Sequence, residues 1–262
     1  MTIEILTETK DQKDEYLTRF LGLHKFISLL RKKTLYFTRL DLLPDPFEGI
    51  TTTLLKQRMF ASLIPSREKM NPRLPSEAIE NNLNQKASIE KQYSEDAPKK
   101  QKSQFVNCWF RGDRESMAMW DLYSNKECVA LKIIKTDLIS YIEILLDLQP
   151  LLYPKNKMIC GPVEYCNLNP IDLDVKINVK YSAFKKDVAY NFENEYRILM
   201  VTPTSYSDKN PPSLELNITD RLLNNTELIC HPGMTEWQID DVKHLCKNIK
   251  FQNVRKSLIE LK

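Results

Sequence analysis

From Asn107 to Lys135 the chain reads NCWFRGDRESMAMWDLYSNKECVALKIIK, and this stretch does most to narrow the folds open to it. The turn at Arg111-Gly112-Asp113 brings in Asp113 and Glu115, acids suited to the positive end of a helix, with Asp113 the expected N-cap. Helical spacing then puts Ser116, Met119, Trp120 and Tyr123 on one side, with Ser124 where the chain must turn. Asn125-Lys126-Glu127 supplies the break. The run from Cys128 to Ile134, rich in Val, Leu and Ile, is a buried strand by length and composition. The unit is strand, turn, short helix, turn, strand. Met117, Met119 and Trp120 read as core residues, although two tryptophans and a tyrosine so close together need partners for their polar atoms when buried.

A chain of 262 residues that is 42% hydrophobic can bury a real core, either as one large domain or as a domain with an insertion. Its 38 basic and 35 acidic residues nearly cancel, so composition gives no strong field for nucleic acid or a membrane surface. Five glycines against 14 prolines, with neither G-x-G-x-x-G nor G-x-x-x-x-G-K-[ST], argue against a glycine-built phosphate cradle. The six cysteines include no C-x-x-C pair, and the opening MTIEILTETKDQKDEY lacks a signal-peptide core. Reduced thiols in a cytoplasm are expected. The three histidines lie far apart, so no metal site is predicted, and no apolar run is long enough to span a membrane.

In chain order, residues 15–33 carry apolar side chains in a helical pattern ended by Arg31-Lys32-Lys33. Thr34 to Thr38 reads as a buried strand leading into LDLLPDPFEG, where two prolines fix a rigid turn. Asp45 and Glu48 on that turn are either presented polar groups or an Asx cap and a solvated acid. A helix is expected over 50–64. The stretch 65–103 is rich in Lys, Glu, Asn, Gln and Ser and reads as a partly helical, mobile insertion, either an exposed hairpin or a lid. Further helices are expected at 136–148 and 235–247, the latter with Thr235 as N-cap and Trp237, Val242 and Leu245 inward. Strands are expected at 158–165, across an alternating run at 174–181, and at 227–230. The last segment, 251–261, is a short strand or helix. The stretch FKKDVAYNFENEYRILMVTP ends in a strand with Glu195, Arg197 and Leu199 on one face and Tyr196, Ile198 and Met200 on the other. The expected fold is α+β, one domain over 1–262, with a mixed or antiparallel sheet flanked by helices and the polar insertion.

The series YFTR..LL.DPFEG from Tyr36, CW......S.AMW.LYS from Cys108, the strand after it and ENEYRIL from Glu193 together resemble the bacterial family called domain of unknown function 2971. The segment from Glu227 to Leu245 is similar to that family's tail. The resemblance spans nearly all of the chain outside 65–103; it implies a fold relation, a place among bacterial defence proteins and no mechanism. A looser similarity is to the three-part plan of ADP-ribosyltransferases. That plan implies NAD as substrate, nicotinamide held by Tyr123 and Ser124, and Glu195 as the catalytic acid stabilising the cation-like transition state. Its first position, usually His or Arg, falls on Thr38 or Arg39. The candidate NAD-contacting set is therefore Thr38, Arg39, Trp120, Tyr123 and Ser124, with an unknown macromolecular acceptor.

Two function classes follow. One is an NAD-consuming transferase or glycohydrolase, a bacterial defence or toxin effector built on Arg39, Tyr123, Ser124 and Glu195. The other is a binding or sensor protein in which Asp45, Glu48, Arg111, Trp120, Glu195 and Arg197 form a polar network. Geometry separates them: the transferase needs Tyr123, Glu195 and Arg39 or Thr38 on one open cleft, whereas a network buries Glu195 against Arg197.

Overall fold

The computed structural model describes residues 3–6, 15–71, 73–123, 127–148, 157–168, 181–247, 251 and 253–260. The strands are β1 (Glu4–Ile5), β2 (Tyr16–Gly22), β3 (Thr34–Arg39), β4 (Gln104–Arg111), β5 (Cys128–Ile134), β6 (Lys157–Pro162), β7 (Glu164–Cys166), β8 (Lys185–Asp187), β9 (Glu195–Val201), β10 (Ser213–Asn217), β11 (Glu227–Cys230) and β12 (Val254–Lys256). The α-helices are α1 (Leu23–Lys32), α2 (Thr52–Leu63), α3 (Ser76–Lys102), α4 (Met117–Tyr123), α5 (Lys135–Leu148), α6 (Asp220–Asn224) and α7 (Glu236–Lys247). Ten strands form one mixed sheet in the order β1-β6-β9-β4-β2-β5-β11-β12, with β3 also on β4 and β10 on β3. The β1–β6 and β11–β12 pairs are parallel, and the other pairs of this sheet are antiparallel. Strands β7 and β8 make a separate parallel pair. This is a single α+β domain.

Strand alternation divides the sheet into two buried faces. On one, Leu17, Phe37, Phe105, Trp109, Leu131 and Ile198 pack with α1, α5, α6 and α7 in the largest core. The other face carries two smaller apolar clusters. One gathers Phe20, Cys128, Ala130 and Ile229 under Met119 and Trp120 of α4. The second gathers Val106, Ile159 and Leu199 under Leu40, Ala183 and Phe184. Across β4 and β9 the register on this face runs Val106 to Leu199, Cys108 to Arg197, then Phe110 to Glu195, which puts two charged residues between the clusters.

Several expectations are corrected. The 15–33 run is not one helix: Tyr16–Gly22 is a strand paired with β5 along its whole length, and only Leu23–Lys32 is helical. Leu17 and Leu21 serve one face and Phe20 the other, so burial on both sides fills the positions that helical spacing also fills. On α7 the buried side chains are Ile239, Val242 and Cys246, whereas Trp237 is 66% and Leu245 38% exposed. Gln238 Oε1 accepts from Thr235 N at 2.8 Å, which sets Thr235 at the cap position just before α7. Ser116 Oγ, not Asp113, accepts from Met119 N at the start of α4. Most of the polar stretch 65–103 is the 27-residue helix α3, whose Ala97 and Tyr93 pack with Ile50, Leu54 and Leu55 of the α2 region. The alternating run at 174–180 lies outside the described residues.

Asn194 joins the Val188–Glu193 turn, a 3-10 helix, to β9 in the left-handed region, at φ 36°. Its Nδ2 donates to Arg111 O at 2.7 Å, and its carbonyl accepts from Arg111 N at 2.8 Å. Asn tolerates this conformation better than Ala does. Replacing Asn194 by Ala should cost about 1–3 kcal/mol in urea unfolding, from backbone strain plus one lost hydrogen bond. Asn194→Gly should recover the strain part alone.

Candidate functional site

The central cluster begins with Arg197, fully buried on β9. Its Nε donates to Glu195 Oε2 at 2.7 Å, its Nη2 to Glu195 Oε1 at 3.1 Å, and its Nη1 to Ala183 O at 2.7 Å. The same Nη2 lies 2.8 Å from Glu48 Oε2. Glu48 arrives from the proline-stiffened turn. Gly49, at φ 74°, lets the chain fold back there, because a Cβ on it would meet Leu40 Cδ1 at 2.6 Å. From β8, Lys186 Nζ reaches Glu195 Oε1 at 3.0 Å, Glu48 Oε1 at 3.2 Å and, by a short hydrogen bond, Glu193. Its ammonium also lies 4.6 Å from the centre of the Tyr190 ring. Tyr165 accepts from Glu195 N at 2.9 Å. Three carboxyls thus surround two cations, all of them nearly excluded from solvent.

The electrostatics follow from burial and from these pairings. Burial alone would raise Glu195, but Arg197, hydrogen bonding from Glu193, and Lys186 hold it well below the ordinary carboxylate range. Burial would lower Arg197 and Lys186, and the charges of Glu195 and Glu48 reverse that, so both cations are held up. Glu193 is different. Burial first, then its hydrogen bond to Glu195 and that group's charge, push it up to about 8. The Tyr123 phenol is raised by burial and then by Glu193 and Glu195, and the Cys108 thiol by burial and then by Glu195. Tyr123 is nonetheless 47% exposed as a residue, so its ring edges the cluster while its hydroxyl feels the acids.

The structure therefore brings together Tyr123, Glu48, Glu195 and Arg197. It does not bring Thr38 and Arg39 to them. Thr38 stands in the row of Val106 and Leu199, four residues along β4 from the row of Glu195, roughly 13 Å at ~3.3 Å per residue. Arg39 pairs with Phe105 in the row of the opposite sheet face. Its guanidinium binds Asp41 Oδ1 at 2.6 Å and Asn210 O at 2.6 Å. Trp120, proposed as a cofactor contact, is fully buried. Its ring meets Phe20 edge-on at 4.8 Å and His231 at 5.1 Å, and its Nε1 donates to Glu115 at 3.2 Å. Arg111 faces Glu15, at 2.9 Å, away from Glu195. Asp45 forms an Asx turn, accepting from Phe47 N at 2.9 Å. Ser124 lies outside the described residues.

Sequence reasoning missed Glu193, Lys186, Tyr165 and Cys108. The F-E-N-E-Y-R stretch sets two acids two residues apart, but strand alternation does not reach Glu193, which ends a 3-10 turn and is joined to β9 through the left-handed Asn194. Lys186 gives no signal either, because a lysine in a polar stretch reads as exposed. A groove of about 520 Å³ lies elsewhere, between α2 and α3, lined by Lys56, Gln57, Phe60 and Gln85 among others. Among the described residues no group of three or more His, Cys, Asp or Glu is arranged to hold a metal, and no helix is long and apolar enough to cross a membrane. Comparison with protein families, curated proteins and solved structures finds no match for this chain.

Proposed function

We propose that this chain is a binding or sensor protein whose Glu195 centre fixes the fold and does not consume NAD. One observation carries the reading: Glu195, 4% exposed, has both oxygens engaged by Arg197, and one of them also by Lys186. A carboxylate that stabilises a sugar cation must direct its charge at the substrate, and this one directs it at two protein cations. Neither residue expected on the ribose side of the transferase plan stands at the cluster: Arg39 is held by Asp41 on the other sheet face, and Thr38 lies in the row of Val106 and Leu199.

A second reading rests on the electrostatics of α4. The Tyr123 phenol senses Glu193 and Glu195, the neighbourhood that an NAD-consuming centre with a macromolecular acceptor would require. Incubating purified protein with NAD and measuring free nicotinamide, with Glu195→Gln as control, separates the two. No nicotinamide and no heat of NAD binding in calorimetry are expected. Release that vanishes in a Glu195→Gln variant with an unchanged circular dichroism spectrum would overturn the binding reading.

A further inference from the structure

We propose that Glu193 and Glu195 hold a single proton between them, carried on Glu193, and that this proton latches the Val188–Glu193 turn against the sheet. The proposal deepens the binding or sensor reading by assigning that centre a regulatory input, and it rests on that reading.

Charge balance is the first argument. With Glu193 protonated, Glu48 and Glu195 offset Lys186 and Arg197, and the buried cluster is neutral. The groups facing Glu193 are Glu195 from β9, Lys186 from β8, the Tyr123 phenol from α4 and the Tyr165 phenol from β7. Glu48 and Arg197 complete the cluster behind them, with the Cys108 thiol from β4. Both phenols and the thiol are pushed up and stay neutral, so none of them adds a further negative charge to the count. Loss of the Glu193 proton leaves one buried negative charge in excess, which is unfavourable unless water reaches it.

The second argument is the construction of the turn. Asp187 Oδ1 caps its start, accepting from Ala189 N at 2.9 Å, and Asn194 ties its end to β4. Between these anchors Val188 and Phe192 are exposed, so little apolar burial holds the middle. Two side chains of the turn reach inward to Lys186: Tyr190, whose ring lies under the ammonium, and Glu193, hydrogen-bonded to it and beside Glu195. An ionised Glu193 keeps the attraction of Lys186 but adds repulsion from Glu195 and a buried charge that nothing in the cluster balances, and it gains water by swinging the turn outward.

The test is carbon NMR of the full-length protein with glutamate carboxyls and valine methyls labelled, titrated from about pH 6 to about pH 9.5. Glu193 should titrate with a midpoint near 8, Glu195 should stay flat, and the Val188 methyl order parameter should fall with that same midpoint. In Glu193→Gln, which cannot lose the proton, the order parameter should stay flat. Two carboxyls already ionised at the start of the titration would overturn the shared proton. A Val188 order parameter unchanged through the Glu193 midpoint would overturn the latch. Neither result depends on a variant folding, since both are read in the wild-type protein. Nicotinamide release would instead overturn the binding reading and leave the titration as it stands.

Discussion

Replacing Arg197 by methionine is expected to destabilise the protein by about 3–5 kcal/mol in urea unfolding at neutral pH, among the largest losses that a single change in this chain should cause. The methionine fills much of the guanidinium's volume, so the loss is one of charge. Glu195 loses its two hydrogen bonds from Arg197, Glu48 loses its contact at 2.8 Å, and among the described residues Lys186 is left as the cation for both. Removing the acid as well should reverse part of the damage. In Arg197→Met with Glu195→Leu, Glu48 still faces Lys186 and Glu193 can keep its proton, so the remaining cluster is neutral. The double variant is therefore expected to be more stable than Arg197→Met alone, a positive coupling in the double-mutant cycle. Strictly additive losses would refute the charge-balance account.

The sign of the pH dependence follows from the same pair. Glu195 is held below its ordinary value of 4.5, so its contribution to stability is present above that value and lost as pH falls through the folded one. The difference between wild type and Arg197→Met should thus shrink in acid. Glu193 acts in the opposite sense. Raised from 4.5 to about 8, it favours the folded state in acid and costs stability progressively as pH rises between those values.

Much of this arrangement was legible in the sequence because it depends on alternation along a strand. Glu195 and Arg197 share a face by period two, and the register across β4 and β9 places them as that period requires. The α4–β5 unit was legible because a short aromatic helix followed by a β-branched run has few alternatives. Residues 16–22 were not legible as a strand: with Leu17, Phe20 and Leu21 buried on two faces, the period-two signal disappears and helical spacing fits equally well. Trp237 misled for another reason, since a large aromatic on an amphipathic helix is taken for core whereas here Ile239, Val242 and Cys246 form the inner stripe. The role of Lys186 depends on where β8 lies against the Val188–Glu193 turn and β9, a tertiary fact with no local trace. Arg39 shows the limit of carrying a motif across: the residue type suited the role, and the register set it in a row of the opposite sheet face.

Trp120→Ala should cost about 3–5 kcal/mol, because it empties the centre of the cluster on which α4 rests. The indole is fully buried, crosses Phe20 and His231 edge-on, and shares Glu115 with the end of the chain. Glu115 also accepts from Arg255 Nη1 at 3.0 Å, from Leu258 N at 3.0 Å and from the Ser257 hydroxyl. Burial would raise this carboxyl, but hydrogen bonds from Ser257, Leu258, Arg255 and Trp120 keep it low. Trp120→Phe keeps an aromatic ring and removes only one of these four donors, so it should cost about 1–2 kcal/mol. The comparison also decides how a ligand experiment on α4 is read. Tyr123 stands less than one helical turn beyond Trp120, so the alanine variant is expected to shift Tyr123 together with α4. Any binding lost in Trp120→Ala and kept in Trp120→Phe therefore reports the position of α4 and Tyr123, whereas binding lost in Tyr123→Phe with stability unchanged reports the phenol at the rim of the acids.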